Sequence, residues 1–210
     1  MHEEDELALF LPPDEKNTDV KKSNFDDDVY KKWFRSKDKS GFLAIRTWLE
    51  AGKVSIDIGE TGDQGLKGNT QVWTNVIELV TYLRAVYDGR GAALYPKTKQ
   101  SPEENYVYYG GGELDGKPVS RILKIEHWST GSGDSKSYDA SSFAWKCGHF
   151  AARKAESGAF IPDMSKSLSQ NMIKVTRREM AEIYYRLDLA IHAFATQNKD
   201  VFRALNGNNK

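Results

Sequence analysis

The sequence predicts an α+β fold in which antiparallel β-sheets are each followed by a helix, so that the chain forms two β-then-α halves. Apolar and polar residues alternate over residues 53–58, which is typical of a strand with one buried face. Apolar residues recur at three- and four-residue spacings near residues 74–87 and 176–197, which is typical of amphipathic helices. A chain of 210 residues can bury a substantial core.

Charge divides the chain into an acidic arm and a basic body. The chain has 30 Lys and Arg residues and 30 Asp and Glu residues, so its formal net charge is zero. Residues 1–29 contain ten acids and three bases, a balance of −7, which leaves about +7 on the remainder. The arm cannot build its own core, so we expect it to be disordered. We expect one domain over residues 30–198, with halves at about 30–90 and 91–198, and a tail over 199–210.

The first half begins with two strands over residues 41–60, joined by a turn at Ala51 and Gly52. The aliphatic side of the first strand, with Leu43 and Ile45, sets its register. The opposite face then presents Arg46 between aromatic residues. A short strand over 70–73 leads to a helix from Thr74 to about Tyr87. Thr74 or Asn75 is placed to cap that helix and Gly89 to end it.

The second half repeats this plan with longer strands. Residues 89–118 look irregular, and the three glycines at 110–112 read as turns or hairpin tips. Clear strands follow over 119–128 and 142–154, separated by a flexible Gly/Ser-rich loop over 129–137. Shorter strands are predicted over 159–161 and 172–175. The closing helix runs from about Thr176 to Gln197.

The sequence lacks the common signatures of an enzyme. No phosphate-binding glycine motif lies between a strand and a helix. Cys147 and the four histidines lack the spacing of a zinc site. We therefore expect no catalytic residues, metal or cofactor. One alternative stays open: Asp57 and Glu60, followed by Lys67, could form a Mg²⁺-dependent nuclease site. Because Asp57 alternates with apolar residues, a solvated strand face also explains it.

Composition indicates a soluble protein of a reducing compartment. No stretch approaches the roughly 20 apolar residues of a membrane helix. The N-terminus is acidic where a presequence would be basic, and a single cysteine rules out an internal disulfide framework. We therefore expect a cytoplasmic protein.

Aromatic and basic residues that share sheet faces are the positive functional signal. Single-stranded nucleic acid presents flat bases and charged phosphates, so its binders combine exposed aromatic side chains with Lys and Arg. In the strand over 142–154, either face could be the outer one. The alternative is that these aromatic residues belong to the core. The candidate nucleic-acid-binding residues are Phe42, Arg46, Trp48, Lys53, Lys67, Trp73, Arg121, Lys124, Trp128, Lys146, Phe150 and Lys154.

Two stretches carry a family resemblance. They are Gly-Lys-Val-Ser-Ile-Asp-Ile over residues 52–58 and Asn-Met-Ile-Lys-Val-Thr-Arg-Arg-Glu-Met-Ala-Glu-Ile over residues 171–183. With the repeated sheet-then-helix layout, they resemble the Whirly and PC4 group of single-stranded DNA-binding folds. The chain is also similar to bacteriophage single-stranded DNA-binding proteins over residues 41–88 and 142–197.

The resemblance implies largely sequence-independent binding of single-stranded DNA, protecting or annealing strands in phage replication or recombination. It implies homo-oligomers in which the apolar helices pack together and the sheets face outward. The acidic arm is similar in composition to the tails by which bacterial single-stranded DNA-binding proteins recruit replication and recombination partners. As alternatives, the arm aids solubility or mimics phosphates against the basic body, and the protein is a DNA-binding transcription regulator.

Overall fold

Two antiparallel four-stranded sheets, each followed by a helix, form the protein, as the sequence predicts. The computed structural model describes residues 28–35, 40–62, 65–98, 103–131 and 137–198. Sheet 1 consists of β1 (Asp28–Arg35), β2 (Ser40–Trp48), β3 (Lys53–Gly62) and β4 (Gly65–Asn75). The helix α1 (Val76–Tyr87) and the short helix α2 (Gly91–Leu94) follow. Sheet 2 consists of β5 (Tyr106–Leu114), β6 (Lys117–Thr130), β7 (Ser137–Lys154) and β8 (Phe160–Thr176), and α3 (Arg177–Gln197) ends the second half.

The turn and helix signals of the sequence are confirmed. The β2–β3 connection is a short 3₁₀ turn that ends at Gly52, whose φ of 65° favours glycine. Asn75 caps α1 by accepting hydrogen bonds from the backbone N–H groups of Ile77 and Glu78. Thr176 and Glu179 form a capping box at the start of α3. Both helices therefore begin within two residues of their predicted starts.

The prediction of turns at Gly110, Gly111 and Gly112 is wrong, because all three glycines lie inside β5. A Cβ atom on Gly111 would lie 2.1 Å from Cδ2 of Phe160. A Cβ atom on Gly112 would lie 3.5 Å from the guanidinium carbon of Arg121. The distance at Gly112 is an ordinary van der Waals contact, so only Gly111 is needed to leave room for a side chain, the Phe160 ring that lies across the strand.

The two short strands predicted near the end of the chain are one strand, β8, of 17 residues. Its middle is polar and largely exposed, so no apolar face marks it in the sequence. Register shifts on both sides of Phe150 let β8 pair with β7 before and after residues 163–166, to which the register assigns no β7 partner.

Both halves contribute to one hydrophobic core. The inner face of sheet 1 buries aliphatic residues such as Ile45 and Ile56, and that of sheet 2 buries Leu123 and Trp145. The apolar stripes of α1 and α3 pack against the same cluster. The outer faces of the two sheets therefore remain for contact with other molecules.

Residues 1–27 and 199–210 lie outside the described residues, so the acidic arm and the tail stay predictions. Asp28 and Val29, which the charge pattern assigns to the arm, begin β1 instead. Among the described residues, no helix combines the length and apolar character needed to span a membrane.

Candidate nucleic-acid interface

The outer face of sheet 1 carries an aromatic pair at each end. The strand registers place Trp33 opposite Phe42 and Trp48 near Trp73 on the same face. The ring centroids are 5.3 Å apart in the first pair and 6.2 Å apart in the second. Phe42 and Trp48 are six residues apart along β2, so the pairs lie about 20 Å from one another.

Basic side chains accompany both aromatic pairs. Trp33 is 61% exposed, and Nζ of Lys31 lies 5.7 Å from the centre of its ring. Lys53 is exposed and pairs in register with Trp48 at the other end. Between the pairs, Nε of Arg46 lies 2.7 Å from a carboxylate oxygen of Asp28. The face thus combines stacking surfaces with positive charge.

A buried polar row lies beneath Arg46 at the centre of this face. Ser55 and Asp57 are completely buried on β3, and Asn69 lies half-buried on β4. Oδ2 of Asp57 lies 3.8 Å from Nη1 of Arg46 and accepts a hydrogen bond of 3.3 Å from the Gln71 amide. Within the described residues, Ser55 Oγ, Asp57 Oδ1 and Asn69 Oδ1 have no hydrogen-bond partner.

Burial changes the acid–base chemistry of Asp57. Desolvation raises the pKa of Asp57 from 3.8 to about 6, although the Arg46 charge and hydrogen bonds from the Gln71 and Asn69 side chains oppose that shift. The carboxylate therefore lies in an environment that disfavours its charged form.

The outer face of sheet 2 has a different electrostatic character. Glu126 lies between Lys124 and Lys146, at 2.6 Å and 2.5 Å from their Nζ atoms. Burial by itself would raise the pKa of Glu126, but hydrogen bonds and charges from both lysines lower it below its ordinary value. Nζ of Lys174 lies over the Trp128 ring at 5.3 Å. Most cations of this face are therefore already paired with acids or rings.

The structure divides the candidate residues between opposite sides of the molecule. Phe42, Arg46, Trp48, Lys53 and Trp73 lie together on the outer face of sheet 1. Lys124, Trp128, Lys146 and Phe150 lie on the outer face of sheet 2. Arg121 lies on the other face of β6, opposite His149, and Lys154 is exposed at the end of β7. The side chain of Lys67 falls outside the described residues.

Two candidate stacking residues are buried. Phe42 is covered because its ring lies against Gly59 and under Trp33. The Phe150 ring lies against Gly148 in the same way, since a Cβ atom on Gly148 would lie 2.6 Å from it. In both places glycine leaves a depression that the neighbouring ring fills. Phe42 and Phe150 thus support the surface instead of forming its exposed part.

The magnesium-nuclease alternative is wrong for its proposed residue pair. Asp57 and Glu60 lie three positions apart within β3, so their side chains point to opposite faces. Asp57 is also 1% exposed, contrary to the solvated strand face expected from its alternation. In the part of the chain that the structure describes, no three His, Cys, Asp or Glu residues are grouped to hold a metal ion.

Trp33 and Lys31, which lie on the outer face of sheet 1, are not among the candidates from the sequence because the first predicted strand began at residue 41. The signal that could have found β1 is its density of strand-favouring residues, namely Val29, Tyr30, Trp33 and Phe34. The buried polar row has no such signal, since strand alternation alone predicts a solvated face.

Comparison with known proteins gives a likeness of fold. No protein-family model matches the chain. No curated protein matches it. Among solved structures it is similar to WHY1 from Arabidopsis thaliana, at 15% identity and a TM-score of 0.44, over 82% of this chain and 90% of that one. It is also similar to the plant transcriptional regulator PBF-2, at 11% identity and a TM-score of 0.41, over 80% and 85% of the two chains. Both neighbours are Whirly proteins. At these values the likeness assigns no function to this chain.

Replacing Asp57 with Asn tests the burial of its charge. The pKa of Asp57 is higher in the folded state than in the unfolded state. Asp57 therefore contributes its full share to the free energy of unfolding below pH 3.8, where it is protonated in both states. That contribution falls as the pH rises through about 6, because the buried side chain then becomes charged. Asp57→Asn should therefore stabilise the protein above pH 7 by on the order of 1–3 kcal/mol, and the pKa of about 6 already includes the opposing Arg46 charge. The difference in free energy of unfolding between the variant and the original protein should vanish near pH 4. Urea unfolding near pH 4 and above pH 7 measures this difference.

Glu50→Gln is the matched control, because Glu50 is an exposed carboxylate at the β2–β3 turn. It should leave the free energy of unfolding nearly unchanged at both pH values. A stability difference for Asp57→Asn that is the same near pH 4 and above pH 7 would contradict the assignment.

Proposed function

We propose that the protein binds single-stranded DNA through the outer face of sheet 1, largely without sequence preference, during DNA replication or recombination. The observation that supports this proposal is the arrangement of two aromatic pairs around Arg46 on one sheet face. Unpaired bases stack on aromatic rings, and phosphates pair with Lys and Arg. A phage origin, a cytoplasmic location and partner recruitment by residues 1–29 belong to the same proposal.

The exposure of the rings favours single strands over duplex DNA. Trp33 presents most of its surface to solvent, while Trp48 and Trp73 are partly buried. In a duplex the faces of the bases are occupied by their stacked neighbours, so an aromatic platform gains little from it. Promoter binding as a duplex-specific transcription regulator would need base-edge contacts in a groove instead.

The two sheets differ in how available their cations are. On sheet 2, Lys124 and Lys146 share Glu126, which is itself almost completely buried. A phosphate that bound either lysine would have to displace that carboxylate. On sheet 1, Lys53 is exposed beside Trp48, and Lys31 is exposed over Trp33 with a longer contact of 3.8 Å to Asp28. We therefore assign the DNA-binding surface to sheet 1.

Substituting exposed aromatic residues on the two sheets tests this assignment. Trp33→Ala should weaken binding of a labelled, mixed-sequence single strand of about 20 nucleotides roughly tenfold, because it removes one stacking surface. Tyr109→Ala removes a ring that is 62% exposed on sheet 2 and should leave affinity unchanged. Fluorescence anisotropy of the DNA measures both, and affinity should fall steeply with salt.

Three results would contradict the proposal. The first is an equal loss of DNA affinity in both variants, and the second is no binding of the single strand at low salt. The third is stronger competition by the duplex of the same sequence than by the single strand. The last result would favour the transcription regulator.

Self-association through the helices is the second part of the proposal. Ile77 on α1 and Tyr185 and Leu189 on α3 are large apolar side chains that are more than half exposed. Tyr185 also donates a hydrogen bond to Tyr87, so the exposed rings connect the two helices into one surface. A surface of this kind on a soluble protein is typical of an interface. A second copy of the chain is the occupant we propose.

Leu189→Glu tests this interface. A charge at a position that is 71% exposed should leave the fold intact but prevent burial of the helix surface between copies. Light scattering after gel filtration should give an oligomer for the original protein and a monomer for the variant. A monomeric original protein, or an oligomeric variant, would contradict the proposal.

A further inference from the structure

We propose that the buried polar row of sheet 1, Ser55, Asp57 and Asn69, selects bases that carry an exocyclic amino group over thymine and uracil. The inference rests on the proposed function, since it concerns the same face. It adds a modest base preference to otherwise general binding of single strands.

The position of the row would let its side chains form hydrogen bonds with the bases of a bound strand. Ser55 and Asp57 are on β3 and Asn69 is on β4, all on the face that the two aromatic pairs bracket. A strand whose bases stack on the pairs at both ends therefore passes over the row between them. Because Arg46 covers Asp57, a base at the centre would present its edge to these side chains only once the guanidinium has moved.

The unsatisfied atoms of the row favour hydrogen-bond donors. Asp57 Oδ1 and Asn69 Oδ1 accept hydrogen bonds, and Ser55 Oγ can accept one as well. The Asn69 side chain donates toward the Asp57 carboxylate, but within the described residues these three oxygens have no partner, and a buried polar atom without a partner is unusual and costly. A ligand that brings N–H groups would satisfy them.

The four bases differ in what they offer such acceptors. Guanine, cytosine and adenine each carry an amino group on a base edge. Guanine also places its ring N–H beside the amino group, so two adjacent donors can meet the Asp57 carboxylate. Thymine and uracil carry one ring N–H between two carbonyl oxygens, and these oxygens would face the acceptors of the row. A site built for donors therefore discriminates against them.

Arg46 and Gln71 control access to the row. Both contact Oδ2 of Asp57, whereas the unpartnered oxygen is Oδ1. The Arg46 side chain is 20% exposed and also pairs with Asp28 at the surface. A phosphate draws the guanidinium outward and uncovers the carboxylate, and the amino group of the base then takes the place of the lost contact. Phosphate binding at Arg46 and base selection at Asp57 are thus coupled.

Oligo(dC) and oligo(dU) of equal length, about 12 nucleotides, are the matched probes, because they differ only at the base edge. Near neutral pH and at low salt, the original protein should bind oligo(dC) about tenfold more tightly. Asp57→Asn replaces one acceptor with a donor and should bring the two affinities close together. Glu50→Gln removes the same charge outside the face and should leave the ratio unchanged.

The outcomes separate this inference from the proposed function. Equal affinity of the original protein for the two probes would overturn the inference and leave single-strand binding intact. This comparison needs no variant. An oligo(dC)-to-oligo(dU) affinity ratio that is unchanged in the Asp57→Asn variant would also overturn the inference. Failure to bind either probe would overturn the proposed function together with the inference. Thermal unfolding checks that Asp57→Asn is folded before its ratio is compared.

Discussion

The structure depends on a single core that uses the inner faces of both sheets and the apolar stripes of both long helices. Ile56 on sheet 1 and Cys147 on sheet 2 meet directly, with the cysteine Sγ atom 3.6 Å from the Ile56 carbonyl oxygen. Arg177 at the start of α3 donates hydrogen bonds to Glu104 and to the carbonyl oxygen of Val86, so the helices are held to each other as well. With the inner faces buried, the chemistry available to a ligand lies on the outer faces and the helix surface.

This constraint explains the uneven electrostatics of the two outer faces. On sheet 2, Glu126 is almost completely buried and contacts two lysines, so each of these cations already has a close acidic partner. On sheet 1, the acidic group Asp57 is buried below the surface, while Lys31 and Lys53 remain accessible. Both carboxylates are buried, so the two faces differ in which cations contact the acid: Lys124 and Lys146 contact Glu126, whereas Arg46 contacts Asp57. The burial of Asp57 also leaves acceptor atoms beneath the place where a base would lie.

The sequence predicted the parts of the fold that follow from local patterns. Alternation marked β2 and β3, the cap candidate Asn75 marked α1, and the apolar stripe marked α3, because these signals involve residues close in the chain. Long-range contacts decided the rest. Gly111 is in a strand because Phe160 packs on it, and Phe42 is buried because Gly59 lies opposite. Of the candidate site, alternation correctly grouped Phe42, Arg46 and Trp48, but it could not show that Asp57 is covered or that β1 adds Trp33.

Photochemical crosslinking tests the central claim, that the outer face of sheet 1 holds the bases of a single strand. A mixed-sequence oligonucleotide with 5-bromouracil at scattered positions would be irradiated on the protein and the crosslinked peptides identified by mass spectrometry. The account predicts crosslinks at Trp33, Trp48 and Trp73, which line this face. Crosslinks confined to Tyr109 and Trp128 on sheet 2, or to Tyr185 on α3, would contradict it.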